Sequence, residues 1–429
     1  MTQITEIIRS AKGQALLAQM YGAQHVEEQA ARYEKLDASF RQHFGAQDGV
    51  QLFSSPGRSE IGGNHTDHNH GKVLAGSITL DTIAAAVPTD DAVITFYSEG
   101  YDKKYVIDLA DLKPNSEDDG TTGLIRGMAA GFVEFGYNVG GFQADISSNV
   151  FSASGVSSSA SFEMLICTIL NHFYNEGRLD VVTLAKIGQY AENNFWNKPS
   201  GLLDQMACAY GGLISIDFAN AAEPVIEPVN WNFQENGYSL VIVNTGGNHA
   251  DLTEDYASVP NEMRAVAEAL GGEYVRDISE EDIYAKLPAI REAAGDRAVL
   301  RALHFLEENK RVDGQVQALR EGRFADFLSL ITASGNSSWK WLQNVYQSGA
   351  VREQEISVAL ALTENYLAQL DDGACRVHGG GFAGVILAIV PNDKAEEYMN
   401  WMRGMLDTPV IVVNVREHGA ICLNAVLSA

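Results

Sequence analysis

Four stretches of the chain combine residue types and spacings suited to chemistry. In the first, residues 55–74 (SPGRSEIGGNHTDHNHGKVL), Arg58 follows Pro56-Gly57, and Asn64, His65, Asp67, His68, Asn69 and His70 crowd positions 64–70. So many short donors and acceptors suit a hydroxyl-rich ligand. A polar turn with satisfied side chains would use the same residues. His65, Asp67, His68 and His70 are also plausible metal ligands, although a metallohydrolase needs more ligands and the remaining histidines are isolated. In the second stretch, 152–163 (SASGVSSSASFE), small residues let backbone N–H groups turn into a loop, and a following helix would present its positive end. That is an anion site fit for nucleotide phosphates. It lacks the lysine of a GxxxxGK[ST] loop, and a serine-rich helix cap is the plainer alternative.

The third stretch, 197–205 (NKPSGLLDQ), sets Asp204 among Leu202, Leu203 and Met206. A carboxylate there serves as base for a hydroxyl or caps a turn. The fourth, 376–384 (RVHGGGFAG), places three glycines before an apolar run, which signals either close backbone approach or a tight turn.

These stretches need elements to hold them. Apolar residues at helical spacing (Ile4, Ile7, Ile8, Leu16, Leu17, Met20) predict amphipathic helix in the first 45 residues. The β-branched runs 73–87 and 93–97, split by Pro88 and Asp90-Asp91, read as strand, turn, strand. A polar loop at 114–123 leads into a helix over about 124–135. A strand over 142–150, helices over about 157–174 and 181–194, and strands over 213–218 and 239–243 follow. The remainder is mainly helical, near 255–270, 297–320, 322–334 and 352–370, and closes with strands near 385–390, 410–413 and 420–423. A strand-richer first half and helix-richer second half imply α+β in two lobes.

The bulk composition narrows the class. The 429 residues are 46% hydrophobic, enough for two domains, and the net charge of −26 comes with no Lys/Arg cluster. A nucleic-acid binder would carry a basic face, so none is expected as a partner. The start of the chain has no apolar run behind a basic head, and no run reaches the roughly 18 apolar residues of a membrane span. Cys167, Cys208, Cys375 and Cys422 are far apart without a CxxC pair. They read as reduced, buried thiols, and the expectation is a cytoplasmic protein.

Order along the chain says more than any one stretch. A Pro-Gly-Arg…His-Thr-Asp segment, a Ser-Gly-x-Ser-Ser-Ser-Ala loop, a Gly-x-x-Asp-Gln and a late Gly-Gly-Gly-Phe-x-Gly together resemble the GHMP kinases and, within them, the galactokinases. The likeness continues through His249 with Tyr256, the stretch RALHFLEENKRV at 301–312 and SGNSSWKWLQ at 334–343. It covers about residues 33–429 and leaves the opening segment outside.

The resemblance implies the two-domain α+β GHMP kinase fold, with domains at 1–228 and 229–429 and the active site in the cleft between them. It implies phosphorylation of the anomeric hydroxyl of α-D-galactose by ATP, with Mg²⁺. Arg58 and Asp204 would form the catalytic pair. Asn64, His65, Asp67, Gly201 and Tyr256 would hold the sugar. Ser154, Gly155, Val156, Ser157, Ser158, Ser159 and Ala160 would wrap the ATP phosphates, and Ser159 with Glu192 would hold the metal. The expected partners are a small sugar and ATP, with the chain a monomer. Two alternatives share the fold. One is a kinase for N-acetylgalactosamine, arabinose or galacturonate. The other is a catalytically silent sugar sensor, against which the intact Ser-Ser-Ser-Ala run and Asp204 argue. The chain departs from the family at Glu60 (usually Asn), Asn64 (usually Glu), His68 (usually Tyr), and Ala153 and Ala383 (usually Gly).

Overall fold

The computed structural model describes residues 2–150, 155–196, 200–247 and 252–428; Ala153, Ser154 and His249 lie outside them. The strands are β1 (Gln51–Gly62), β2 (Lys72–Pro88), β3 (Val93–Ser98), β4 (Lys104–Asp108), β5 (Phe142–Ser148), β6 (Leu213–Asp217), β7 (Val225–Pro228), β8 (Tyr238–Asn244), β9 (Ala374–His378), β10 (Val385–Pro391), β11 (Val410–Val413) and β12 (Ile421–Cys422). They form an eight-stranded sheet, ordered β12-β1-β2-β5-β3-β4 with β6 on β2 and β7 on β6, and a four-stranded sheet ordered β11-β8-β10-β9.

The long strand β2 organises the first sheet. Its start pairs with β6 and its end with β5, while β1 runs along nearly all of it. Its sequence is apolar on both sides because both faces are covered. Ala84 and Ala86 join the core beneath helices Gly120–Glu134, Ser158–Tyr174 and Val181–Phe195. Ile83, Ala85 and Val87 turn the other way, onto the three helices of the opening segment, Gln3–Arg9, Ala11–Tyr21 and Val26–Phe44.

The second sheet repeats this logic. Leu240, Ile242, Leu387 and Ile389 pack on helices Asp296–Arg320 and Phe324–Ser337. Val241, Val243, Ile386 and Ala388 pack on Glu355–Leu370 and Asn392–Leu406.

Strand β1 differs from the sequence expectation. Periodicity assigns no element to its Ser-, Arg- and Glu-bearing sequence, and a polar turn is an alternative over 55–74, yet all but its first residue are buried. Helices Leu203–Tyr210, Glu280–Ala294 and Asn392–Leu406 and strands β4, β7 and β9 are further elements that periodicity does not announce. The end of the chain also crosses back. A division at 228/229 assigns β12 to the second domain, whereas β12 pairs with β1 in the first sheet.

Candidate active site

Arg58 lies on β1 at a register shift between Pro56 and Arg58, where the strand departs from regular pairing with β2. Such a bulge re-aims a side chain. The guanidinium grips Asp204, at the start of helix Leu203–Tyr210, with Nε donating to Oδ1 at 2.7 Å and Nη2 to Oδ2 at 2.9 Å. Nη1 donates to the Gly155 carbonyl at 2.5 Å. Arg58 is buried, whereas the Asp204 side chain remains 36% exposed.

The phosphate-loop candidates sit beside this pair. Ser157 precedes helix Ser158–Tyr174 in the left-handed region (φ 59°), and its hydroxyl donates to Asp204 Oδ2 rather than capping the helix. The helix N-terminus therefore keeps its backbone donors for another acceptor. Gly155 is also left-handed, at φ 69°, and Val156 anchors the loop by accepting the Arg58 amide at 3.1 Å. Ala160 is buried in the core below, and Ser158 lies half-exposed at the first turn. Ser159 donates to Glu192 Oε1 at 3.2 Å from the last turn of helix Val181–Phe195, and Gln205 donates to Glu192 Oε2 at 3.2 Å.

The sugar-segment candidates occupy the β1–β2 connection. Among the described residues the Asp67 carboxylate makes no hydrogen bond, and the ring nitrogen His68 Nε2 is 3.9 Å away. Gly201 lies against it so closely that a Cβ there would sit 1.7 Å from Asp67 Oδ2. His65, with φ 58°, points Nε2 at the Gly380 carbonyl at 2.7 Å, and burial pushes its pKa down to about 3. Tyr256, on helix Thr253–Ala269, donates to the Gly381 carbonyl at 3.1 Å.

Asn64 is placed differently from a ligand-facing side chain. It is fully buried; Nδ2 donates to Glu60 at 2.9 Å and to the Gly379 carbonyl at 2.7 Å, while Oδ1 accepts from Asn344 at 2.7 Å and Ser338 at 3.3 Å. All four bonds an amide can make are taken.

The triple glycine closes the site from the second lobe. Gly379 and Gly381 adopt φ of 71° and 79°, and the turn's carbonyls receive Asn64, His65 and Tyr256. The close backbone approach signalled by the glycines is thus to the sugar segment. A Cβ on Gly380 would lie 2.4 Å from the Tyr256 ring. The Ala383 methyl faces Gly247 and a core cluster with Phe382.

Sequence reasoning missed the residues that support this loop. Glu308 is fully buried on helix Asp296–Arg320 and accepts the Gly63 amide at 3.2 Å, the Ser334 hydroxyl at 2.5 Å and Arg311 Nε at 2.6 Å. His304 Nε2 lies 3.0 Å from the Asn64 carbonyl, and burial pushes its pKa down to about 4. Their signal was present as polar residues at 304, 308 and 311 on one face of an otherwise core-forming helix. The histidine cluster does not gather as a metal site. His70 stacks on Tyr274 at 3.9 Å, and among the described residues no three His, Cys, Asp or Glu are grouped to hold a metal ion.

This pair of sheets, with a glycine-serine loop at a helix N-terminus beside an Arg–Asp pair, defines the GHMP kinase class. The GHMP kinase N-terminal domain description matches residues 123–212, and the galactokinase galactose-binding signature matches residues 38–88. The chain is 31% identical over 395 residues to the galactokinase of Exiguobacterium sibiricum, spanning 88% of this chain and 93% of that one. It is 31% identical over 387 residues to the galactokinase of Lactococcus lactis subsp. lactis, spanning 87% and 91%. Among solved structures, Lactococcus lactis galactokinase complexed with galactose matches with a TM-score of 0.77 at 26% identity, over 90% of this chain and 98% of that one. The Methanococcus jannaschii mevalonate kinase shares the fold at a TM-score of 0.58 and 18% identity, over 86% of this chain and 99% of that one. The chain belongs to the galactokinase family.

Proposed function

We propose that the protein transfers the γ-phosphoryl group of ATP to the anomeric hydroxyl of α-D-galactose, releasing ADP and galactose 1-phosphate. The observation that carries this reading is the Arg58–Asp204 pair, with Asp204 partly exposed and the pair bonded to Gly155 and Ser157, while Gly201, three residues before Asp204, lies against Asp67. In the reaction the sugar oxygen bonds to the γ-phosphorus, the bond from that phosphorus to the bridging oxygen breaks, and the hydroxyl proton passes to Asp204. A carboxylate gripped by a guanidinium is a weak base, so Asp204 chiefly orients the hydroxyl and takes its proton late. That suits a loose transition state, in which positioning and charge neutralisation dominate. Arg58 spends three of its five N–H groups on Asp204 and Gly155 and keeps two for phosphate oxygens.

Asp67, His65, Gly201 and Tyr256 are assigned to the sugar. Asn64 is assigned to holding their loop in place. Residues 154–160 are assigned to the phosphates. Mg²⁺ is assigned to Ser159 and Glu192, whose oxygens, 3.2 Å apart, have the spacing of neighbouring ligands at about 2.1 Å from one ion. The ion would neutralise charge on the phosphates. We assign residues 1–228 and 229–429 to the two domains, with the final segment returning to the first. All four cysteines are free and buried, as suits the cytoplasm, and one chain supplies every assigned site residue, as suits a monomer. Among the described residues no helix is long and apolar enough to cross a membrane.

The test is ADP release across galactose, N-acetylgalactosamine, arabinose and galacturonate, with the product identified as a 1-phosphate. Galactose is expected to give the highest kcat/KM. Preference for another sugar overturns the substrate assignment, and no turnover with any of them overturns the kinase reading.

A further inference from the structure

The helices of residues 3–44 do more than cover one face of the sheet. They deliver two polar side chains, Tyr21 and Arg32, onto the fully buried carboxylate of Asp81 in β2. Arg32 Nη1 donates to Asp81 Oδ1 at 2.5 Å and Nη2 to the Asp81 carbonyl at 2.9 Å, while the Tyr21 hydroxyl donates to Oδ2 at 2.5 Å. From the body of the protein, Ser54 Oγ and Arg416 Nη1 reach the same Oδ2 at 2.5 and 2.9 Å. Tyr33 extends the cluster through a 3.0 Å contact with Tyr21.

Asp81 stands at a decisive place. It pairs with Pro56, at the edge of the register shift that aims Arg58. Ser54, bonded to Asp81, is on the same strand as Arg58. Arg416 accounts for the other half of the catalytic pair. Its backbone donates to Ser77, which pairs with Arg58, and accepts from Gly212, just past the helix that carries Asp204. Ser77 Oγ in turn donates to the Ala207 carbonyl within that helix. One buried carboxylate therefore ties the strand of Arg58 to the helix of Asp204. Two cations, a phenol and the Ser54 hydroxyl satisfy it, and one cation and the phenol come from the opening segment.

We propose that the opening segment is a buttress for catalysis, with Tyr21 and Arg32 acting as positioning residues for the Arg58–Asp204 pair. This rests on the kinase reading above for its kinetic arm only. Without Arg32, Asp81 loses its charge-assisted bond on Oδ1 and one of two bonds to its carbonyl, the other coming from the Asn149 amide, and the bulge between Pro56 and Arg58 is free to relax. A small misplacement of a reacting group costs much in rate, whereas the sugar contacts assigned to His65, Asp67, Gly201 and Tyr256 lie on other segments.

The experiment compares Arg32→Ala, Arg32→Lys and Leu36→Ala in the full chain. Leu36 is buried on the same helix but makes no contact with Asp81 in the network above. Hydrogen exchange by mass spectrometry over segments 52–60 and 203–212 gives the readout that needs no turnover. The expected result is faster exchange in both segments for Arg32→Ala, less for Arg32→Lys, and wild-type rates there for Leu36→Ala at matched global stability. In turnover, kcat of Arg32→Ala falls about tenfold to a hundredfold with the sugar KM within threefold, and Lys partly restores it. Unchanged exchange in those segments overturns the buttress even if galactose is not the substrate. So does equal loss of kcat in Leu36→Ala, which would make the segment a source of stability alone.

Discussion

Replacing Asp204 by Asn tests the catalytic pair with a nearly isosteric change. The carboxylate receives Arg58 Nε at 2.7 Å, Arg58 Nη2 at 2.9 Å and the Ser157 hydroxyl. An amide keeps one accepting oxygen, so its NH₂ meets an Arg58 donor in either orientation: Nε if it replaces Oδ1, or Nη2 together with the Ser157 hydroxyl, which can rotate to accept, if it replaces Oδ2. The second arrangement is the cheaper and loses one charge-assisted bond to Arg58. Such bonds contribute about 1.5–3 kcal/mol. Because Asp204 is 36% exposed, water screens part of that, and about 1–2 kcal/mol of stability should be lost. A domain stable by about 5–15 kcal/mol survives that loss.

The barrier should suffer more. An amide cannot take the hydroxyl proton, and the loss of such a group typically lowers rates by about 10²–10⁴. At about 1.4 kcal/mol per decade this is about 3–5 kcal/mol on the transition state. The assay pairs steady-state ADP release with ATP binding by calorimetry and a thermal melt. The expected outcome is a folded protein that binds ATP within a few-fold of wild type and turns over at least a hundredfold more slowly. A folded variant within tenfold of wild-type kcat would refute the role given to Asp204.

Three further outcomes are expected. Ser159→Ala and Glu192→Gln should raise the Mg²⁺ concentration for half-maximal rate by at least about fivefold while leaving the sugar KM within threefold, since only oxygens at 3.2 Å from each other are changed; an unmoved Mg²⁺ titration in both removes them as ligands. Gly201→Ala would place a methyl 1.7 Å from Asp67 Oδ2, so the sugar KM should rise by about tenfold or more with the ATP KM steady, and unaltered sugar kinetics would show that Asp67 does not hold the sugar. Burial holds His65 to about pKa 3 and His304 to about 4, so the fold keeps them neutral while the unfolded chain takes up protons near pH 6.5. Stability from these groups is thus complete above about pH 6.5 and lost as pH falls from there toward about 4 for His304 and about 3 for His65. Melting temperatures that stay flat from pH 7.5 to 5 would contradict it.

Much of the scaffold was legible because its signals are local. Strand β2 announces itself as a long apolar run, and the helices of residues 158–174 and 181–195 carry plain periodicity. Strand β1 was not legible because its polar residues are satisfied from far along the chain. Ser59 and the Glu60 amide meet His378 Nε2 at 3.0 and 3.1 Å, and the Glu60 carboxylate meets Arg376 at 2.6 Å. No window of sequence around residue 60 contains those partners, so a buried strand looks like a loop. The motifs stood out in the same uneven way. Arg58, Asp204 and Ser157 are joined by hydrogen bonds, and Ser159 meets Glu192. The supports at Glu308, Asn344 and Arg376 are visible only once the second lobe folds against the first.

The exchange of Glu and Asn at positions 60 and 64 follows from these supports. Asn64 must donate to the Gly379 carbonyl and to Glu60 while accepting from Asn344 and Ser338. A carboxylate at 64 could not donate to either. It would also bury a second negative charge beside Glu60, whose own pKa burial already raises despite the opposing charge of Arg376. Glu60 in turn needs a neighbour that donates, and the amide is that neighbour. The two departures from the family therefore support each other as one buried unit spanning β1, the glycine turn and the second lobe. With position 64 spent on the scaffold, the function proposed above leaves discrimination among sugars to the other residues assigned to the sugar. Of these, Asp67 stands out, since both of its carboxylate oxygens remain without a hydrogen bond among the described residues and Gly201 fixes where they lie.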